Sequence, residues 1–146
     1  MLSILKRLSQ RARSQLINDV FSLSQAGYVD AKLPLNLIKY MSKEIDYLPW
    51  NTLINNRISF FIDMLESTEY YGDLKTFLAR LVEPYYKKLG WNESDEKFEW
   101  VDRFIRNSVI SFACRMDLPD CLAKSKAYFS EWMSDPNNNK YCNILH

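Results

Sequence analysis

A chain of 146 residues, 47% hydrophobic and 14% aromatic, is long enough to bury a core of its own and lies outside the compositional range of disorder. Its 19 basic and 18 acidic residues give a net charge of +1, spread along the whole length, which excludes the basic field that holds a nucleic-acid backbone. The longest apolar runs, such as Ile58 to Leu65, fall well short of the ~20 residues that cross a bilayer, so no membrane span is expected.

The opening MLSILKRLSQRAR is basic and amphipathic, as a transit peptide is, but its cluster of Met1, Leu2, Ile4 and Leu5 is too short for a secretory signal core. Residues 1–10 therefore read as a lead-in helix or tail. Leu16, Ile17, Val20, Phe21 and Leu23 then form an apolar face at helical spacing, predicting a first helix over roughly 11–26, stopped by Gly27 in the left-handed C-terminal position. Pro34, tolerated in a first turn, precedes Leu35, Leu37, Ile38 and Met41, and a second helix is expected to close near Glu44.

Pro49 opens a third, with Trp50, Leu53, Ile54, Ile58, Phe61, Met64 and Leu65 on one buried stripe. Ser67 and Thr68 are the expected N-cap pair of a fourth, whose face runs from Tyr71 through Leu74, Phe77, Leu78, Leu81, Val82 and Tyr85 to Leu89 and Gly90, with Pro84 bending it or tightening its last turns. Ser94, Asp95 and Glu96 favour the start of a fifth, carrying Phe98, Val101, Phe104, Ile105, Val109, Phe112 and Met116. Pro119 opens a sixth, with Leu122, Ala123, Phe129, Trp132 and Met133 on one side, until Asp135, Pro136 and three asparagines halt it.

No stretch alternates as a strand does. The expected fold class is all-α: about six helices in antiparallel pairs starting near residues 11, 49 and 96, forming an α-solenoid of armadillo or HEAT type, whose repeats are ~40 to 47 residues long. Residues 1–146 form a single helical domain on this reading, with 134–146 as an irregular tail.

The chemistry absent from the sequence is informative. Hydrolytic zinc sites need converging imidazoles or carboxylates, and the one histidine here is His146, the last residue. There is no H-E-x-x-H, no Gly-rich phosphate loop and no G-x-S-x-G elbow, so no catalytic residue, no metal ligand and no cofactor is assigned to this chain. Cys114 and Cys121 flank a Pro-containing turn between the fifth and sixth helices, where α-carbons can approach within the about 7 Å that a disulfide allows. A clip between adjacent helices and a pair of reduced, buried thiols both fit this placement. Zinc ligation is the weaker fit, since the separation is not C-x-x-C and only Cys142 and His146 are left to complete a set. Asn92 begins an N-E-S sequon in an expected polar loop, a candidate glycosylation site. Trp50, Trp91, Trp100 and Trp132, with Tyr85 and Tyr86, are candidates to line a peptide groove, but aromatics at helical spacing read first as core. Arg13 with Asp19, and Lys43 with Glu44 and Asp46, read as surface or inter-helix ion pairs.

Four segments are familiar together. RSQLINDVFSLSQAG (Arg13 to Gly27), YMSKEIDYLPW (Tyr40 to Trp50), YYKKLGW (Tyr85 to Trp91) and IRNSVISFACRMDLPDC (Ile105 to Cys121), in that order and with those gaps, resemble the C-terminal helical domain of the aminopeptidase N-like zinc aminopeptidases. The similarity covers roughly residues 8–136. It implies a membrane-anchored or secreted, often glycosylated, parent enzyme that removes N-terminal residues from peptides, with zinc held in an earlier domain. It also implies a helical solenoid that closes over that catalytic domain and walls the peptide chamber, so the partners implied are the catalytic domain and the peptide substrate, with no nucleic acid. By the same resemblance Cys114 and Cys121 match a disulfide pair of the family's ectoenzymes, and Cys142 matches the first member of a later pair.

The chain departs from the family's pattern in passing from Trp132 through Asn137, Asn138 and Asn139 almost directly to Tyr141, and in stopping before further helix pairs. A truncated solenoid end with exposed apolar surface is the expectation, and with it homo-oligomers formed through that end. The competing reading is a free-standing helical-repeat module that binds a peptide or protein.

Overall fold

The computed structural model describes Leu5, residues 7–91 and residues 100–135. Every regular element among them is helical. Helix α1 spans Gln10–Gln25, and its cap is Ser9, extended at ψ 158°, whose Oγ accepts the Ala12 N–H at 3.2 Å. At the other end Gly27 sits at φ +78°, which lets Tyr28 N–H reach the Leu23 carbonyl at 2.9 Å and Gly27 N–H the Ser24 carbonyl at 3.0 Å. Those two bonds are the Schellman pattern. The buried line of α1 is Arg13, Ile17 and Phe21, while Leu23, expected inward, is exposed because it lies about 200° round the helix from Phe21.

Helix α2, Lys32–Leu37, tightens into a 3-10 segment, Ile38–Lys43, that ends at Glu44. Three residues per turn align Leu37 with Tyr40 and Ile38 with Met41, and all four are buried. The third rod begins as α3, Tyr47–Thr52, widens to a π turn, Leu53–Arg57, and continues as α4, Ser59–Leu65. In the wide turn Ile58 N–H bonds the Leu53 carbonyl at 3.0 Å, five residues back. That extra residue resets the register: Ile58 takes the place below Leu53, and Phe61 and Ile62 follow it inward. Met64, expected in the stripe, points to solvent.

Helix α5, Tyr71–Leu89, buries Leu74, Leu78, Leu81, Val82, Tyr85, Tyr86 and Leu89. Ser67 and Thr68 do not cap it. No side chain bonds at its start, and Thr68 Oγ1 instead donates to the Leu65 carbonyl at 2.8 Å, closing α4. The helix runs through Pro84, and Arg80 and Pro84 both lie on the exposed side, which leaves the carbonyl that proline cannot pair open to solvent. Gly90, at φ +59°, ends it.

Helix α6, Trp100–Arg115, buries Ile105, Arg106, Val109, Ile110, Phe112 and Ala113. Its expected start at Ser94 lies outside the described residues. Phe104 is exposed, contrary to the apolar stripe, while Arg106 occupies the buried face next to Ile105. Helix α7, Pro119–Ser134, starts with proline in its first turn and buries only Cys121. Phe129, Trp132 and Met133, expected as its inward side, are exposed.

Helices α1 and α6 both pack against α3 and the π turn, α4 touches α5, the 3-10 segment lies on α5, α5 on α6, and α6 on α7. At the centre the Trp50 and Tyr85 rings stack, 5.3 Å apart and 4° from parallel.

Candidate functional site

The end of α6 is shaped for a tight reversal. Asp117 adopts φ +57°, uncommon for a residue with a side chain, and permits Leu118 N–H to bond the Ala113 carbonyl and Asp117 N–H the Cys114 carbonyl, each at 3.0 Å. The Asp117 carboxylate pairs with Lys75 of α5, which ties the strained residue to the body of the protein. Pro119 then restarts the helix, bringing the Cys114 and Cys121 α-carbons to 5.2 Å, and the two sulfurs are bonded. Cys121 is fully buried and Cys114 half-buried.

A polar cluster holds the start of α7 from the other side. Tyr86 Oη donates to Asp120 Oδ2 at 2.7 Å and accepts the Trp91 indole N–H at 2.7 Å, while Lys124 reaches the same carboxylate oxygen at 2.9 Å. The Trp91 ring lies 5.2 Å from that of Tyr128. Burial is the largest effect on the Tyr86 hydroxyl and pushes its pKa up to about 12. The Asp120 carboxyl is held below its ordinary value, first by Lys124 and then by Tyr86.

At the opposite end Arg13 and Glu44 form a buried pair, with Nε to Oε2 at 2.6 Å and Nη2 to Oε1 at 3.1 Å. Arg13 also bonds Asp46 and donates to the Leu8 carbonyl at 2.6 Å. The Ile45 and Asp46 N–H groups both reach Glu44 Oε1 at 3.0 Å, and Trp50 donates its indole N–H to the Glu44 carbonyl at 3.1 Å. The pairing expected between Arg13 and Asp19 is not made. Asp19 accepts instead from Gln15 at 2.6 Å, and Arg13 crosses to the loop before α3. The signal was present, since Arg13 lies four residues before Ile17 and eight before Phe21, on the same helical line. The Tyr86 to Asp120 link, 34 residues apart, left no local signal.

Of the aromatic candidates, Trp50, Tyr85 and Tyr86 are core, Trp91 is half-buried, and Trp100 is 75% exposed with Trp132 also at the surface. An open groove of about 410 Å³ runs between α2 and α5, floored by Leu35, Leu65, Leu74 and Phe77 and edged by Lys32, Lys39 and Asp73. None of the tryptophans lines it. Among the described residues no three His, Cys, Asp or Glu side chains gather as a metal site. Asn92, Cys142 and His146 lie outside the described residues. No helix among the described residues is long and apolar enough to cross a membrane.

The ERAP1-like C-terminal domain family model matches residues 2–144, and the chain belongs to that family. Human glutamyl aminopeptidase is 33% identical over 130 residues, 88% of this chain and 13% of that protein. Bovine aminopeptidase N is 33% identical over 147 residues, 91% of this chain and 15% of that protein. The rat thyrotropin-releasing hormone-degrading ectoenzyme is 32% identical over 143 residues, 94% of this chain and 13% of that protein. The chain thus spans between 13% and 15% of the length of these relatives. It is a C-terminal domain of the kind found in aminopeptidases.

Proposed function

We propose that this chain is a non-catalytic part of a zinc aminopeptidase, a helical wall that caps the peptide chamber and governs substrate access, while the parent enzyme removes N-terminal residues from peptides. The observation that carries this reading is the family match over residues 2–144, joined to relatives named as aminopeptidases. The packing of successive helices, α5 on α6 and α6 on α7, supports a segment of α-solenoid, and a stack of helix pairs supplies a broad face on which a catalytic domain and a peptide can rest. Zinc belongs, on this reading, to an earlier domain of the parent.

The same reading places the domain outside the cell, secreted or on a membrane-anchored parent, and one relative is named an ectoenzyme. A disulfide between Cys114 and Cys121 and a glycan at Asn92 both suit that compartment. The exposed Phe129, Trp132 and Met133 of α7 are the surface through which the isolated chain would self-associate.

Two measurements test the proposal. The purified chain, given aminoacyl fluorogenic substrates with and without zinc, is expected to show no turnover above a metal-only blank. Bovine aminopeptidase N with its matching segment replaced by this chain is expected to keep its zinc-dependent activity. Turnover by the chain alone, or a folded, zinc-loaded chimera without activity, contradicts the reading.

A further inference from the structure

Helix α7 is held to the protein mostly at its first turn. Of its sixteen residues only Cys121 is fully buried, with Leu122, Ser125 and Tyr128 half-buried, and Phe129, Trp132 and Met133 facing solvent. A helix of this length is marginal on its own in water, so its order depends on the attachments it makes. Those described include the disulfide to α6, the Cys114 Sγ to Ser125 Oγ contact at 3.3 Å, the Tyr86 to Asp120 bond, the Lys124 ammonium over the Tyr86 ring and the Trp91 to Tyr128 contact. By contrast α6 and α5 bury six and seven side chains respectively.

We propose that the Cys114–Cys121 disulfide is a redox-sensitive latch, which on reduction by a dithiol releases α7 while the rods up to Arg115 stay packed. The bond is asymmetric. Cys114 is half-buried at the last turn of α6, whereas Cys121 is buried in the first turn of α7. A reductant thiolate reaches the Cys114 sulfur, forms a mixed disulfide there and expels the Cys121 sulfur as thiolate, which then takes up a proton. The first-turn N–H groups of α7 favour negative charge at that leaving sulfur, while the C-terminal end of α6 would disfavour it at Cys114. The reductant's second thiol then displaces the Cys114 sulfur. In sum the protein gains two electrons and two protons, and the dithiol becomes a disulfide.

Without the latch, α7 is held by non-covalent contacts alone, among them the partly exposed Tyr86 to Asp120 bond, the Lys124 ammonium over the Tyr86 ring and the Trp91 to Tyr128 ring contact. Closing so short a loop, with the cysteines seven residues apart, restricts the open state enough that its removal should speed opening of α7 about 30- to 150-fold. Hydrogen exchange read by mass spectrometry on the oxidised chain and on the chain reduced with dithiothreitol tests this. Faster exchange by that factor across residues 119–134, with 71–89 unchanged, supports the latch. Unchanged exchange in α7, or loss of protection in all rods together, overturns it. The double substitution Cys114→Ser with Cys121→Ser should reproduce the reduced pattern without reductant. A monothiol such as glutathione, trapped as the mixed disulfide before a second thiol can resolve it, should be found on Cys114, and an adduct on Cys121 contradicts the proposed direction of attack.

Discussion

Arg13 shows how one buried charge organises an end of the molecule. Its side chain is only 10% exposed and that of Glu44 4%, so neither ion has bulk water to fall back on. The hydrogen bond that the guanidinium donates to Glu44 is the largest influence on it, and it raises the Arg13 pKa against the opposing effect of burial. Arg13→Ala removes that partner and leaves a buried carboxylate, for which a loss of about 3–5 kcal/mol is expected in urea unfolding. A loss under about 1 kcal/mol would show that the pair is no more than a surface contact. The tyrosines give a pH signature. Burial, the largest effect at each, raises the pKa of Tyr40 and Tyr85 and carries Tyr86 to about 12. A phenol whose pKa is higher in the folded state stabilises the fold fully below its unfolded value of 10.0, and that contribution is lost as pH rises through the folded value. Tyrosinate absorbance and circular dichroism should therefore show these three ionising together with cooperative unfolding, not before it. The Asp120 carboxyl has the opposite sign: its contribution is present above the ordinary 3.8 and fades as pH falls through the lower folded value, loosening α7 first in acid.

At the level of elements, all six helical rods were legible because turns and caps punctuate the chain where the apolar period breaks. Gly27, Pro34, Pro49, Gly90 and Pro119 mark ends or first turns of helices in the structure as in the sequence. The internal irregularities were not legible. A fixed helical period cannot reveal the π turn at Leu53–Arg57, which is why the stripe predicted Met64 and missed Ile62. The wide turn absorbs one residue, and that makes a prediction. Deleting the exposed Asn55 should restore an ordinary helix, keep Ile58, Phe61 and Ile62 on the buried side and lower Tm by only a few degrees. Deleting the exposed Thr76, inside the regular α5, rotates every later side chain by about 100° and should abolish cooperative melting. Equal damage from the two deletions would refute this account of the register. Arg106 and Arg13 were obscured for a simpler reason: each sits at a core spacing, but a charged residue read without its partner is assigned to the surface.

For the molecule as a whole, the sequence pattern carried the fold class and the family, while most of the candidate site depended on contacts between distant segments. Trp50 and Tyr85, 35 positions apart, stack at the core, a pairing that local periodicity does not encode. Exposed apolar residues on α7 and at the start of α6 were legible as hydrophobic but not as uncovered, because burial there is decided by neighbouring structure. Phe129→Ser with Trp132→Ser should lower any self-association seen by sedimentation, and an unchanged profile would place that association elsewhere. The central claim is that this helical stack shapes access to a reactive centre located elsewhere in the parent enzyme. Its most direct test compares kcat/KM on dipeptide and on longer peptide substrates for bovine aminopeptidase N and for the same enzyme carrying this chain in place of its matching segment. A changed preference for peptide length with the dipeptide rate retained is the predicted result, and an identical length profile in an active chimera would contradict the account.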